Sequence, residues 1–139
     1  MTPIYAQNHD FSAYNVLAVD DVPLNLILVQ KMLSRFNFQM RTAANGQLAL
    51  DAVAEKKPDL ILLDLMMPGI DGFEVIRRLR ADPQTADIQI VILSALNSSE
   101  DVVKGFNLGA NDFIMKPIIM EKLLTCVVTQ LQIASAKKS

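Results

Sequence analysis

Four short apolar runs in this chain each carry an acid, a hydroxyl or an ammonium at the end. Asn15–Asp20 is followed by Asp21, Leu60–Leu65 contains Asp64, Ile88–Leu93 is closed by Ser94, and Asp112–Met115 is closed by Lys116. Runs of this length, rich in Val, Leu and Ile, suit strands buried on both faces, the setting of a parallel sheet. Parallel strands deliver their C-terminal ends to one edge, so these four groups, far apart in sequence, are expected to meet there. Asp64 sharpens the point: a carboxylate in the most apolar run is costly to bury unless a cation or a donor accompanies it. Two adjacent carboxylates plus a third suit a divalent cation, and a hydroxyl with an ammonium suits phosphoryl oxygens. The set predicts phosphoryl transfer onto an aspartate.

Between the runs the apolar pattern becomes helical. From Pro23 to Phe36, Leu24, Ile27, Leu28, Met32 and Leu33 recur at intervals of three and four, which predicts a helix with that stripe buried and Pro23 in its first turn. Phe38–Ala43 alternates apolar and polar residues, as an edge strand does. Asn45-Gly46 punctuates before a helix over Leu48–Glu55, and Met67-Pro68-Gly69 turns the chain toward a helix over Gly72–Arg80 with Phe73, Val75, Ile76 and Leu79 inward. Ser98 and Ser99 are candidate caps for a helix through Leu108 that Gly109 stops, and Pro117 leads into a last helix to about Ala134. Five βα units with right-handed crossovers give an α/β fold, the flavodoxin-like (βα)5 three-layer sandwich with a parallel five-stranded sheet of order 2-1-3-4-5. Its switch point falls between the first and third strands, which Asp20, Asp21 and Asp64 terminate.

With 139 residues, 51% of them hydrophobic, the chain has the size of one domain with one core. We read residues 1–14 as an N-terminal tail, 15–134 as the domain and 135–139 as a C-terminal tail. A net charge of −2 and a pI near 5.3 provide no basic face for a phosphate backbone, which argues against direct nucleic-acid binding. Apolar stretches are interrupted by Asp, Pro or Lys before reaching bilayer-spanning length, so no membrane insertion is expected. Met1–Tyr14 lacks the basic-then-apolar order of a secretory signal. The one cysteine, Cys126, lies in an apolar helical stretch, which predicts an inert buried thiol and a cytoplasmic, reducing compartment. The one histidine, His9, lies in the tail, far from every candidate group, and is expected to be solvated.

The segments VDDVPLNL (Val19–Leu26), LILLDLMMPGIDGFEV (Leu60–Val75), ILSA (Ile92–Ala95) and GANDFIMKP (Gly109–Pro117) resemble, in residue type, order and spacing, the receiver domain of two-component response regulators, chemotaxis regulators among them. The resemblance covers about Asn15 to Leu131. It implies that Asp64 is the phosphoacceptor, charged by a histidine kinase or a histidine phosphotransfer protein. It implies Mg²⁺ held by Asp21, Asp64 and the backbone carbonyl of Met66, with Asp20 reaching through water. Lys116 would pair with one phosphoryl oxygen and Ser94 with another, and Lys116–Pro117 would be a cis peptide. Phe113 would be a switch aromatic coupled to Ser94, reshaping the fourth helix, fifth strand and fifth helix on phosphorylation. Two departures from the family pattern matter. Ser94 stands where Thr is commoner, losing a methyl, which predicts looser coupling. Met66 and Leu96, two positions beyond Asp64 and Ser94, are apolar and cannot orient an attacking water, so slow self-dephosphorylation is expected.

Each feature alone has a plainer account. An Asp-Asp pair after a strand is commonly a turn or a cap, Lys-Pro a solvated charge at a strand end, Ser after an apolar run a satisfied loop hydroxyl, and Phe113 a core phenylalanine. Two other functions stay open: a constitutive protein-interaction module on this fold, and an aspartate-nucleophile phosphohydrolase similar to the haloacid dehalogenases, although that family carries a second Asp where this chain has Met66. The leading expectation is a non-enzymatic signalling domain serving a downstream effector domain or protein. The VDDVPLNL style is similar to receivers attached to hybrid kinases or nucleotide-cyclase outputs. A homodimer through the fourth helix, fifth strand and fifth helix is compatible with the charges there: Glu100, Asp101, Lys104, Asp112, Glu121 and Lys122.

Overall fold

Strands and helices alternate through the whole of the computed structural model, which describes residues 11–96 and 98–138. The order is β1 (Asn15–Val19), α1 (Pro23–Met32), β2 (Gln39–Ala43), α2 (Gly46–Glu55), β3 (Leu60–Leu63), α3 (Gly72–Ala81), β4 (Gln89–Ser94), α4 (Ser99–Leu108), β5 (Asp112–Met115) and α5 (Met120–Lys138). All four ladders are parallel, and the strand order is β2-β1-β3-β4-β5, as expected. Every residue of β1, β3 and β4 is buried, because helices cover both faces of the sheet. β2, at the edge, stays exposed or half-buried until Ala43.

Successive strand residues point to opposite faces and feed two apolar layers. Val16, Ala18, Leu60, Leu62, Val91 and Leu93 pack with Val29 of α1, with Leu33 just past its end, and with Leu123, Val127 and Leu131 of α5. Leu17, Val19, Ile61, Leu63, Ile90 and Ile92 pack with α2 and α3 through Ala49, Val53, Val75, Ile76 and Leu79. Helix ends follow local chemistry. The side chains of Asn45, Asp71 and Ser98 accept from Leu48, Glu74 and Asp101 N–H, and Gly109 closes α4 in the left-handed region at φ 115°. Arg80 then fastens this corner. Its guanidinium donates to the carbonyls of Gly109 (2.9 Å), Ala86 (2.9 Å) and Ile88 (2.6 Å) and to Asn111 Oδ1 (2.9 Å), tying α3 to the connections before β4 and β5.

Helix α1 overturns one expectation. Leu24, Ile27 and Leu28 are 60%, 47% and 44% exposed. The helix is held instead by Val29 and Leu33, with Leu26 and Met32 partly buried against the same layer. Because PLNLILVQKM is apolar around most of its circumference, spacing alone fits two stripes, and the sheet takes the one that begins at Leu26. The helix also stops at Met32 rather than Phe36. Ser34 Oγ donates to the Lys31 carbonyl at 2.8 Å, and Phe36 turns inward against Phe11, with ring centroids 6.3 Å apart.

Packing contacts continue on both sides of residues 15–134. Phe11 is 5% exposed within the core, and the Tyr14 carbonyl accepts from Gln39 N at 2.9 Å, prolonging the β1–β2 pairing. The packed chain therefore begins at least four residues before Asn15; His9 lies outside the described residues. At the other end α5 continues past Ala134 to Lys138, and Lys137 Nζ donates to the Asp87 carbonyl and to Gln89 Oε1. Cys126 is buried and donates to Asp112 Oδ2 at 3.3 Å. The expected burial holds, and burial, then the charge of Asp112, pushes its thiol far above the usual range. Among the described residues no helix is long and apolar enough to cross a membrane.

Candidate functional site

The edge formed by the strand C-termini gathers the groups singled out in the sequence. Three backbone bonds set the positions: Asp20 N–H donates to the Ala43 carbonyl (3.2 Å), Asp64 N–H to the Val19 carbonyl (3.0 Å) and Lys116 N–H to the Ser94 carbonyl (2.9 Å). Each functional residue is thus the first beyond a ladder, or the last within one, and inherits the rigidity of the sheet. Gly72 supports the same edge. Its N–H donates to the Leu65 carbonyl at 3.1 Å, and a Cβ there would lie 2.5 Å from the Asp64 carbonyl oxygen and 2.7 Å from Leu65 Cα, so α3 starts directly against the backbone that carries Asp64.

Asp20 and Asp64 are both buried, at 6% exposure, whereas Asp21 is exposed. One carboxylate oxygen from each of the three can be chosen so that all lie within 4.8 Å of one another. Asp20 accepts Val22 N–H on Oδ1 (2.9 Å), and on Oδ2 both the Asn25 side-chain amide (3.1 Å) and Lys116 Nζ (2.9 Å). Lys116 Nζ stands 3.8 Å from Asp64 Oδ2, and Met66 N–H donates to Asp64 Oδ1 at 3.3 Å. Burial raises the pKa of Asp64 above the ordinary carboxylate value; Lys116 opposes the shift, and Asp20 and Asp21 add to it. A cluster of three acids with one ammonium carries surplus negative charge, which fits a hard divalent cation bound by oxygen ligands.

Ser94 is fully buried, and its Oγ accepts Leu96 N–H at 3.2 Å. Phe113, half-buried on β5, packs with the α2–α3 layer beside Gly105 of α4, where a Cβ would meet Ile92 Cδ1 at 2.7 Å and the Phe113 ring at 3.6 Å. The Lys116–Pro117 peptide is cis. Met66 is 57% exposed and, with Leu65, Met67, Pro68, Phe73, Leu96 and the helix-capping Asp71, lines a shallow, mostly apolar hollow of about 380 Å³ next to the end of β3. The structure thus brings Asp20, Asp21, Asp64 and Lys116 together, with Ser94 and Phe113 on the adjoining strands. Asn25 is the partner that sequence reasoning missed. At the third position of α1 it reads as an ordinary polar residue, and only the fold turns its side chain back onto Asp20.

Comparison with known proteins agrees with this geometry. Residues 16–128 match the response regulator receiver domain family. The chain is 44% identical over 103 residues to response regulator PleD of Caulobacter vibrioides, an alignment covering 74% of this chain and 23% of PleD, so it spans under a quarter of that relative. Over 112 residues it is 34% identical to protein PilH of Pseudomonas aeruginosa, covering 81% of this chain and 93% of PilH. Among solved structures, chemotaxis protein CheY4 of Vibrio cholerae superposes with a TM-score of 0.77 at 32% identity, covering 82% of this chain and 95% of that one. Match, fold and acidic edge together make this chain a member of the response regulator receiver domain family of two-component signalling.

Proposed function

We propose that Asp64 is the phosphoacceptor, taking a phosphoryl group from the phosphohistidine of a histidine kinase or histidine phosphotransfer protein. The observation that carries this reading is the Lys116 ammonium placed 2.9 Å from Asp20 and 3.8 Å from Asp64 at the edge where β1, β3 and β5 end. An Asp64 oxygen attacks phosphorus in line; the new O–P bond forms as the P–N bond breaks, and the imidazole leaves with the electron pair. Asp21, Asp64 and the Met66 backbone carbonyl would hold Mg²⁺, with Asp20 reaching it through water, and the ion would neutralise charge on the phosphoryl oxygens. Lys116 turns toward one phosphoryl oxygen and Ser94 Oγ toward another. The movement of Ser94 vacates space into which Phe113 swings, a population shift between two packings of α4, β5 and α5.

The chemistry is stoichiometric self-phosphorylation and self-dephosphorylation rather than turnover, in a cytoplasmic chain that signals to an effector domain or protein. Val103 and Phe106 of α4, Met115 of β5 and Met120 of α5 are exposed and supply apolar area for that effector, or for a second copy of the chain. A phosphohydrolase reading lacks a general acid-base two residues beyond Asp64, where Met66 stands, its side chain exposed and apolar.

Incubation with Mg²⁺ and acetyl phosphate, followed by intact-protein mass measurement, tests the assignment. The wild type should gain one phosphoryl group and Asp64→Ala none. No gain in the wild type, with Mg²⁺ binding confirmed, would sink the assignment and favour a constitutive interaction module. The apolar hollow also sets a lifetime. Met66 and Leu96 offer no group to orient water on phosphorus, so phospho-Asp64 is expected to last minutes or longer in Mg²⁺. Decay within seconds, followed by the same mass measurement, would contradict that account.

A further inference from the structure

We infer that Asn25 is a positioning residue for the metal and phosphoryl site: it grips Asp20 so that Lys116 is free to leave that carboxylate for an incoming phosphoryl group. The inference rests on the phosphoacceptor reading above and adds a residue to it.

A carboxylate offers about four lone-pair positions, two on each oxygen. On Asp20 three are taken, by Val22 N–H on Oδ1 and by Asn25 Nδ2 and Lys116 Nζ on Oδ2. Only the NH₂ end of Asn25 can face this group, since the carbonyl end would repel it. One position, on Oδ1, therefore remains for a metal-bound water while Lys116 stays. Once Lys116 turns to the phosphoryl group, Oδ2 of a carboxylate only 6% exposed loses its charged donor. Without Asn25 that oxygen would be left bare, and a bare buried carboxylate oxygen costs more than the hydrogen bond it lost. With Asn25 in place each oxygen keeps one fixed donor, Val22 on one side and Asn25 on the other. Two-point attachment fixes the plane of the carboxylate, and therefore the direction in which it accepts from water, whether or not Lys116 is present.

The local structure shows that Asn25 is spent on this contact. α1 has no side-chain cap at Val22, and Pro23 follows it. The Asn25 backbone N–H is already satisfied by the Val22 carbonyl at 3.0 Å, so its side chain is not needed to start the helix. It folds back five residues onto Asp20, a reach like that of a capping box but ending on an active-edge carboxylate rather than on a backbone N–H.

Mg²⁺ affinity, read by isothermal titration calorimetry on the unphosphorylated chain, tests the role. The set is wild type, Asn25→Leu, Lys116→Met and the double variant, with Asn25→Ala as a second truncation and melting temperature as the check on folding. Asn25→Leu should weaken Mg²⁺ binding a few-fold in the wild-type background, where Lys116 still holds Oδ2. In the Lys116→Met background, where Asn25 is the remaining donor to that oxygen, the loss should grow to roughly tenfold or more. A merely structural asparagine would weaken binding by the same factor in both backgrounds, and that outcome would overturn the inference. So would unchanged affinity in both, or failure of both truncations to fold. Absence of Mg²⁺ binding by the wild type would instead remove the phosphoacceptor reading itself.

Discussion

Asp64→Asn is expected to melt higher than the wild type in Mg²⁺-free buffer, by about 3 °C or roughly 1 kcal/mol for a domain of this size, and to lose most of the stabilisation that Mg²⁺ confers on the wild type. In the native chain Asp64 is a buried carboxylate whose ionised form is opposed first by desolvation and then by Asp20 and Asp21, and Lys116 offsets only part of this. Asparagine keeps the shape, and its carbonyl oxygen can still accept Met66 N–H, while the charge disappears. The pH dependence fixes the sign. Because the folded state raises the pKa of Asp64 above 3.8, the folded chain holds this proton to higher pH than the unfolded chain does. The penalty is therefore present above the raised value, shrinks as pH falls through it, and vanishes below 3.8. The gap between variant and wild type should close over that window. On the proposed Mg²⁺ assignment, added Mg²⁺ should bind the folded wild type and raise its melting temperature, whereas the variant would lack one of the proposed ligands. Paired thermal melts with and without Mg²⁺ decide it, and a variant less stable than wild type in EDTA would refute the account.

That trade between stability and function explains which parts of the molecule were legible in the sequence. The strand ends were plain because a carboxylate inside LILLDL violates the local apolar rule, and such violations mark sites. β1, β3 and β4, buried on both faces, leave continuous apolar runs that no helix period disguises. α1 was less plain for the opposite reason. With apolar residues around most of its surface, spacing cannot say which stripe the sheet takes, and the stripe through Leu24, Ile27 and Leu28 that it suggests faces out. Phe11 is hidden because a lone aromatic in a polar stretch has no period at all; it packs edge-on against both Tyr14 and Phe36. Arg80 is hidden because most of its partners are backbone carbonyls, which leave no trace in side-chain patterning, and Asn25 because its contact with Asp20, five residues back, follows no helix or strand spacing.

Gly72→Ala should cost about 3 kcal/mol, near 10 °C in melting temperature, and slow phosphorylation by acetyl phosphate up to roughly a hundredfold. At an ordinary helix position the same change would stabilise, since alanine loses less backbone entropy than glycine. Here the sign reverses on geometry. The new methyl would sit 2.5 Å from the Asp64 carbonyl oxygen and 2.7 Å from Leu65 Cα, and both are backbone atoms that no rotamer change can move aside. Relief requires α3 to lift or the end of β3 to shift, and the second route displaces Asp64, the proposed nucleophile, from Lys116 and from its neighbouring carboxylates. Gly69→Ala is the matching control. Gly69 has φ 77°, with nothing within 4 Å of its would-be Cβ, so its cost is backbone strain alone, about 1 kcal/mol, with no push on Asp64. Melts of the two variants should therefore differ by less than their phosphorylation rates do. If Gly69→Ala slowed phosphorylation as much as Gly72→Ala, the close approach of α3 to the Asp64 backbone would not be what holds Asp64 in place.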